Sequence, residues 1–263
     1  QNIKDARKIA DKHGVRLYFD AARFAENAFF IKTKEPGYKD KSIADIVKEM
    51  FSYADGMTMS SKKDGIVNIG GFIGFRDEET YREACLYNIM FEGFITYGGM
   101  AGRDMAALAV GLKEAMELDY LDSRVGQVAY LAKLLDQYKI PIQHPPGGHA
   151  VYVDARKFLP HVKKEEFTAQ TLALELYLEG GVRPVEIGTL LADRDPVTRK
   201  NRFPELELVR LTIPRRVYTD NHMEYVAVCL KNIFDRRDQI KSGYRITREA
   251  PIMRHFTVEL EKI

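Results

Sequence analysis

Met57-Thr58-Met59-Ser60-Ser61-Lys62-Lys63-Asp64, then Gly65 and Val67-Asn68-Ile69-Gly70-Gly71, is the stretch around which the chain is organised. It reads as a short strand, a polar turn and a glycine-bearing return strand. Two adjacent lysines stand in that turn between apolar segments. A half-buried lysine loses solvation of its ammonium form, so its pKa falls and a neutral, nucleophilic amine becomes available. A Schiff-base lysine needs that state. Ser60 and Ser61 beside it offer hydroxyl donors that suit a phosphate. The same residues fit a solvated hairpin turn, and the turn alone leaves both readings open.

Upstream, Val15-Arg16-Leu17-Tyr18-Phe19 reads as a strand that ends in Asp20, with Ala21-Ala22-Arg23 after it. An acid at the carboxyl end of a strand faces the crevice where α/β sheets bind ligands. Between Asp20 and Lys63, Ile43, Ile46, Val47, Met50 and Phe51 recur at helical spacing, with Ser42 placed to cap that helix. A strand-end aspartate, a helix and a strand-end lysine match what pyridoxal phosphate requires. The carboxylate keeps the pyridine nitrogen protonated while the lysine carries the aldehyde.

Phe19-Asp20-Ala21-Ala22-Arg23, Glu26-Asn27-Ala28, the Met59-to-Asp64 turn, Tyr97-Gly98-Gly99, Gly147-Gly148-His149-Ala150 and Leu211-Thr212-Ile213-Pro214-Arg215 together resemble the β-eliminating lyases, the tryptophanases and tyrosine phenol-lyases. The resemblance runs over essentially the whole chain. It implies an α/β, fold-type-I pyridoxal-phosphate large domain, present in part, and a C-terminal α+β small domain. It implies Lys63 as the Schiff-base lysine, Asp20 as the pyridine partner and Arg23 as a neighbour of the cofactor's 3-oxygen. Ser60 and Lys62 would face the phosphate, and Arg215 would hold the substrate carboxylate. Tyr97 would make an active-site or inter-subunit contact, and Asn68 would belong to a potassium site. Ala22 stands where the family usually has Thr, and Ser61 where it has Gly or Ala; both bear on geometry more than on chemistry.

Two further positions bear on the ring of the substrate. Phenol-lyases place an arginine where Ile187 stands and an aromatic residue where His255 stands. Ile187 offers no donor to a phenol hydroxyl, and His255 is smaller than Phe and able to bond an indole N–H. The resemblance therefore implies elimination of tryptophan to indole, pyruvate and ammonia, with tyrosine elimination as the alternative. A non-catalytic fragment or assembly subunit with half a cofactor site is a third reading. The other histidines, His13, His144, His149, His161 and His222, lack metal-ligand spacing.

At 263 residues and 45% hydrophobic composition the chain can bury a sizeable core in one or two domains. Forty basic against 38 acidic residues leave a formal charge of +2, so neither a nucleic-acid nor a membrane partner is expected. No apolar run approaches the roughly 20 residues of a membrane span. Cys85 and Cys229 read as reduced thiols of a cytoplasmic protein. The expected boundary lies near Leu118, giving domains 1–118 and 119–263. In the second, strands are expected at His149 to Ala155, Val182 to Ile187, Leu206 to Ile213 and Ile252 to Leu260, with helices at Phe167 to Glu179 and Asn221 to Arg236. Asp193 to Pro204 reads as a flexible polar loop. The family likeness implies a homotetramer acting on a small amino-acid substrate. It also implies an N-terminal part, carrying the main phosphate loop, that is not identifiable in these residues.

Overall fold

The computed structural model describes residues 1–263, which divide into two compact units, Gln1–Ser123 and Arg124–Ile263. The first contains α1 (Asn2–His13), β1 (Tyr18–Asp20), α2 (Phe24–Lys34), α3 (Ile43–Ser52), β2 (Gly56–Ser60), β3 (Gly71–Phe75), α4 (Glu78–Phe91), α5 (Gly102–Glu114) and the start of α6 (Leu118–Gln137). The units therefore divide inside α6. Helix α3 follows from its spacing. Ser42 Oγ accepts from the Asp45 amide, and Ile43, Ile46 and Met50 are buried. The three strands order β1-β2-β3, the first pair parallel and the second antiparallel.

The hairpin expected around Lys63 is present, but its return strand starts at Gly71 rather than at Val67. Ile66 at φ 53° and Gly70 at φ 96° take left-handed conformations, which bend the backbone out of a strand. Helix α4 buries none of its residues, and Leu86, Tyr87, Met90 and Phe91 stand exposed along it.

The second unit holds the rest of α6, β4 (Ala150–Asp154), α7 (Ala155–Phe158), α8 (Thr168–Gly180), β5 (Val185–Ile187), α9 (Thr189–Ala192), β6 (Leu208–Thr212), α10 (Asp220–Asp235), β7 (Tyr244–Arg248), α11 (Arg254–Thr257) and β8 (Glu259–Lys262). Its main sheet orders β4-β6-β5, antiparallel throughout, so β5 is an edge strand. Val151, Val153, Val209 and Leu211 from one face meet Leu131 and Leu135 of α6, Leu172 and Leu176 of α8 and Leu230 of α10 in one core. Burying each such side chain stabilises the unit by roughly 1.5–3 kcal/mol.

The expected last strand, Ile252 to Leu260, is not one strand. Met253 at φ 58° breaks it, Arg254–Thr257 forms a helical turn, and β8 begins only at Glu259, pairing with the unexpected β7. The polar 193–204 segment, expected to be flexible, is bonded into the unit. Arg194 bridges to Asn201, donates to the Arg199 carbonyl at 2.9 Å and pairs with Glu249. No helix is long and apolar enough to cross a membrane.

Candidate functional site

In the first unit, parallel pairing decides where the chemistry falls. Strands β1 and β2 run the same way, with Asp20 in register with Thr58, so Asp20 and the turn after Ser60 emerge at one end of the sheet. The Ala21 amide donates to the Thr58 carbonyl at 2.8 Å and extends the ladder past Asp20. Asp20 is exposed, and its Oδ1 accepts from the Ala22 amide at 3.1 Å. That bond holds the carboxylate in a local turn.

Asp64 ties the lysine turn down, a role the sequence reading missed. It is 2% exposed, and its Oδ2 accepts from the amides of Ala25 at 2.8 Å and Glu26 at 3.2 Å, the first turn of α2. Its own amide donates to the Ala22 carbonyl at 3.1 Å. A carboxylate on the first amides of a helix contributes about 1 kcal/mol. Here it also fixes residues 60–64 against residues 20–26. Lys63, its neighbour, is half-buried as expected, and Lys62 is exposed.

Arg23 stands at the N-cap of α2, and its Nε is buried without a hydrogen-bond partner. Ser60 and Lys62 line a cleft of about 880 Å³ together with Thr58, Gly71 and Phe91. A strand-end acid, an orphaned guanidinium nitrogen, a half-buried lysine and a hydroxyl beside an open cleft form a donor set that fits pyridoxal phosphate. Tyr97 is exposed in the loop after α4 and lines an adjoining cavity of about 470 Å³ with Tyr81, Cys85 and Met105, which shares Gly71, Phe72 and Met100 with that cleft. Asn68 is exposed on the long turn, and no group of three or more His, Cys, Asp or Glu side chains that could hold a metal ion is found.

In the second unit the alternation of β6 sorts its residues. Val209 and Leu211 enter the core, so Arg210 projects from the opposite face, between Tyr152 of β4 and Val185 of β5. Arg210 Nε is buried and has no hydrogen-bond partner. Ile187 pairs with Leu208 and lies on that same face. Arg215 comes after Pro214, beyond the strand, is half-buried and already makes a side-chain interaction. Arg210 was not singled out in the sequence reading; the available signal was a lone guanidinium inside the apolar run Leu208-Val209-Arg210-Leu211.

His255 sits in the helical turn α11, half-buried, with Nδ1 3.3 Å from Glu186 Oε2. Glu186 belongs to β5 and points to the face opposite Ile187, so this contact does not bring Ile187 and His255 onto one face. Glu207 lies nearby at 0% exposure and accepts from the Thr189 amide at 2.9 Å and from the Thr189 hydroxyl. Burial pushes its pKa above the usual carboxylate range, partly offset by those bonds.

The sequence profile described as Beta-eliminating lyase matches residues 1–229. A probable β-eliminating lyase of Trichomonas vaginalis is 64% identical over 262 residues, covering 100% of this chain and 57% of its own length. A tyrosine phenol-lyase of Pasteurella multocida is 50% identical over 260 residues, 99% of this chain and 57% of that protein. A tryptophanase of Salinibacter ruber is 49% identical over 259 residues, 98% of this chain and 55% of that protein. The chain thus spans a little over half the length of these curated relatives.

Proposed function

This chain belongs to the β-eliminating lyase family, and from that premise we propose that its whole protein eliminates the side chain of an aromatic amino acid, tryptophan in preference to tyrosine. The products would be indole, pyruvate and ammonia. The observation that carries the reading is the parallel register of β1 and β2, through which Asp20 and the Lys63 turn emerge at one end of a sheet. Bound pyridoxal phosphate supplies a protonated ring that draws electrons from the substrate's Cα.

The chain's own residues divide the remaining work. Lys63 would hold the cofactor's aldehyde, and its amine would take the α-proton. The Asp20 carboxylate would favour the protonated pyridine nitrogen by accepting its hydrogen bond. Arg23 would face the 3-oxygen, and Ser60 and Lys62 the phosphate. Two guanidinium groups compete for the substrate carboxylate. Arg215 is implied by the family likeness. Arg210 has the stronger geometric argument, because it stands inside β6 on the face that carries Ile187, whereas Arg215 lies beyond the strand. Tyr97 contacts the active site or a neighbouring subunit, and Asn68 contributes to a potassium site. A cytoplasmic homotetramer completes the proposal.

Ring preference rests on Ile187 and His255. Ile187 leaves a phenolic hydroxyl without a donor, while His255 can pair with an indole N–H. The test is kcat/KM for both amino acids on the full-length protein, then on Ile187→Arg, Arg210→Lys and Arg215→Lys. Tryptophan is expected to lead, Ile187→Arg to narrow the lead, and Arg210→Lys to raise KM more than Arg215→Lys. Tyrosine preferred by the unaltered protein overturns the reading. If tryptophan leads but Ile187→Arg leaves the ratio unchanged, the activity stands and this account of the pocket falls.

A further inference from the structure

The frame that holds His255 is built from groups with no part in the chemistry above. Arg254, which opens α11, is 1% exposed. It donates to Asn201 Oδ1 at 2.7 Å and to the Thr189 carbonyl at 2.6 Å. Its guanidinium also lies 3.6 Å from Asp193 and 3.8 Å from Glu249. The helical turn is thereby pinned to α9 before the next side chain is placed.

Within that frame His255 Nδ1 is buried, and the nearest carboxylate oxygen is Glu186 Oε2 at 3.3 Å, off the line of a well-formed hydrogen bond. Glu186 is 2% exposed and cannot swing away. Its Oε1 accepts from the Leu190 amide at 3.1 Å and its Oε2 from the Leu191 amide at 3.0 Å. Gly188 leaves the space the carboxylate needs, since a Cβ there would come within 2.7 Å of Glu186 Oε1 and 2.4 Å of Glu207 Oε2. An immobile acceptor facing one ring nitrogen selects the tautomer with the proton on that nitrogen.

We infer that Glu186 is a positioning residue that, in the uncharged imidazole, keeps the His255 proton on Nδ1, so that Nε2 is a bare acceptor for a substrate ring N–H. The inference deepens the reading of His255 as the ring contact and rests on it. An indole N–H only donates, whereas a phenol hydroxyl both donates and accepts. A fixed acceptor therefore suits the indole class, and a histidine free to change tautomer would serve both.

The experiment uses the full-length protein labelled with ¹⁵N-histidine, read by ¹⁵N NMR at alkaline pH, with His255 assigned by the signal lost in His255→Phe. The expected spectrum has Nδ1 protonated and Nε2 bare. The opposite tautomer in the unaltered protein overturns the inference, whether or not any Glu186 variant folds. In Glu186→Gln, whose amide can face the ring with a donor or an acceptor, a mixture of tautomers is expected. With it, kcat/KM for tryptophan should fall about tenfold, and that for tyrosine by less than about twofold. A single Nδ1-protonated form persisting in Glu186→Gln also overturns it. If the tautomers mix but the tryptophan-to-tyrosine ratio holds, Glu186 keeps its positioning role and His255 loses the ring contact.

Discussion

The two units hold the charged residues that carry the proposed chemistry and its frame in opposite ways, with buried Asp64 of the first unit the exception. In the first, Asp20 is exposed, Lys62 is exposed and Lys63 is half-buried, all at the open end of a three-stranded sheet. In the second, Glu186, Glu207 and Arg254 are nearly or fully buried, each held by several hydrogen bonds or ion pairs. Their apolar surfaces differ in the same sense. The second unit closes a core over Ala169, Leu172 and Leu176 of α8, whereas α4 in the first leaves Leu86, Tyr87, Met90 and Phe91 in the open. The difference teaches where a substitution will register. Removing the exposed charge of Asp20 should cost chemistry and little stability; removing the buried charge of Glu186, Glu207 or Arg254 should affect stability first.

The largest expected effect is on folding. Arg254→Ala leaves Asp193, Glu249 and the Thr189 and Leu190 carbonyls without their common partner, although burial and then the Arg194 charge lower the guanidinium's pKa. Breaking such a buried set costs about 3–5 kcal/mol. Denaturant midpoints of the full-length protein check it, and a loss under about 1 kcal/mol would erase the contrast between the units.

Asp20→Asn comes next and should behave in the opposite way. An amide cannot hold the pyridine nitrogen protonated by charge, so kcat should fall at least about 10²-fold, roughly 3 kcal/mol. The unfolding midpoint should stay within about 0.5 kcal/mol, because the exposed side chain makes one local bond. Unchanged turnover would make Asp20 an ordinary strand-end acid.

How far the sequence anticipated this arrangement varied with the range of the forces involved. Helix α3 was legible because its apolar spacing and the Ser42 cap lie within ten residues of one another. The strand-turn-strand around Lys63 was legible for the same reason, except that the positive φ of Ile66 and Gly70 delays β3. Asp64 was missed because its partners, Ala25 and Glu26, lie 39 and 38 residues away. The 252–260 segment reads as a strand by composition, and the burial of Arg254 overrides that preference. Arg210 looks solvent-facing by alternation, and only the neighbouring strands show that its Nε is covered.

The smallest effects are in pH dependence, and their signs differ between the units. Glu49 in α3 is held at a pKa of about 2, first by its bond to Lys41 and then by Tyr38 and Lys4. A carboxyl depressed on folding contributes stability above its unfolded value, near 4.5, and loses it as pH falls toward about 2. Glu207 is raised by burial, so its contribution is complete below about 4.5 and is lost as pH rises through its folded value. Glu49→Gln should therefore flatten the acid limb of unfolding for the first unit. Glu207→Gln should gain on the unaltered protein as pH rises above about 4.5. Hydrogen exchange followed unit by unit reads both, and equal slopes for the two variants would contradict the assignments.

The most direct test of the account concerns Lys63. The full-length holoprotein is reduced with borohydride and digested, and the modified peptide is sequenced. The account predicts one pyridoxyl group, on Lys63 in the Met59-to-Asp64 turn. A pyridoxyl group on Lys62, or on no lysine of this chain, would contradict it.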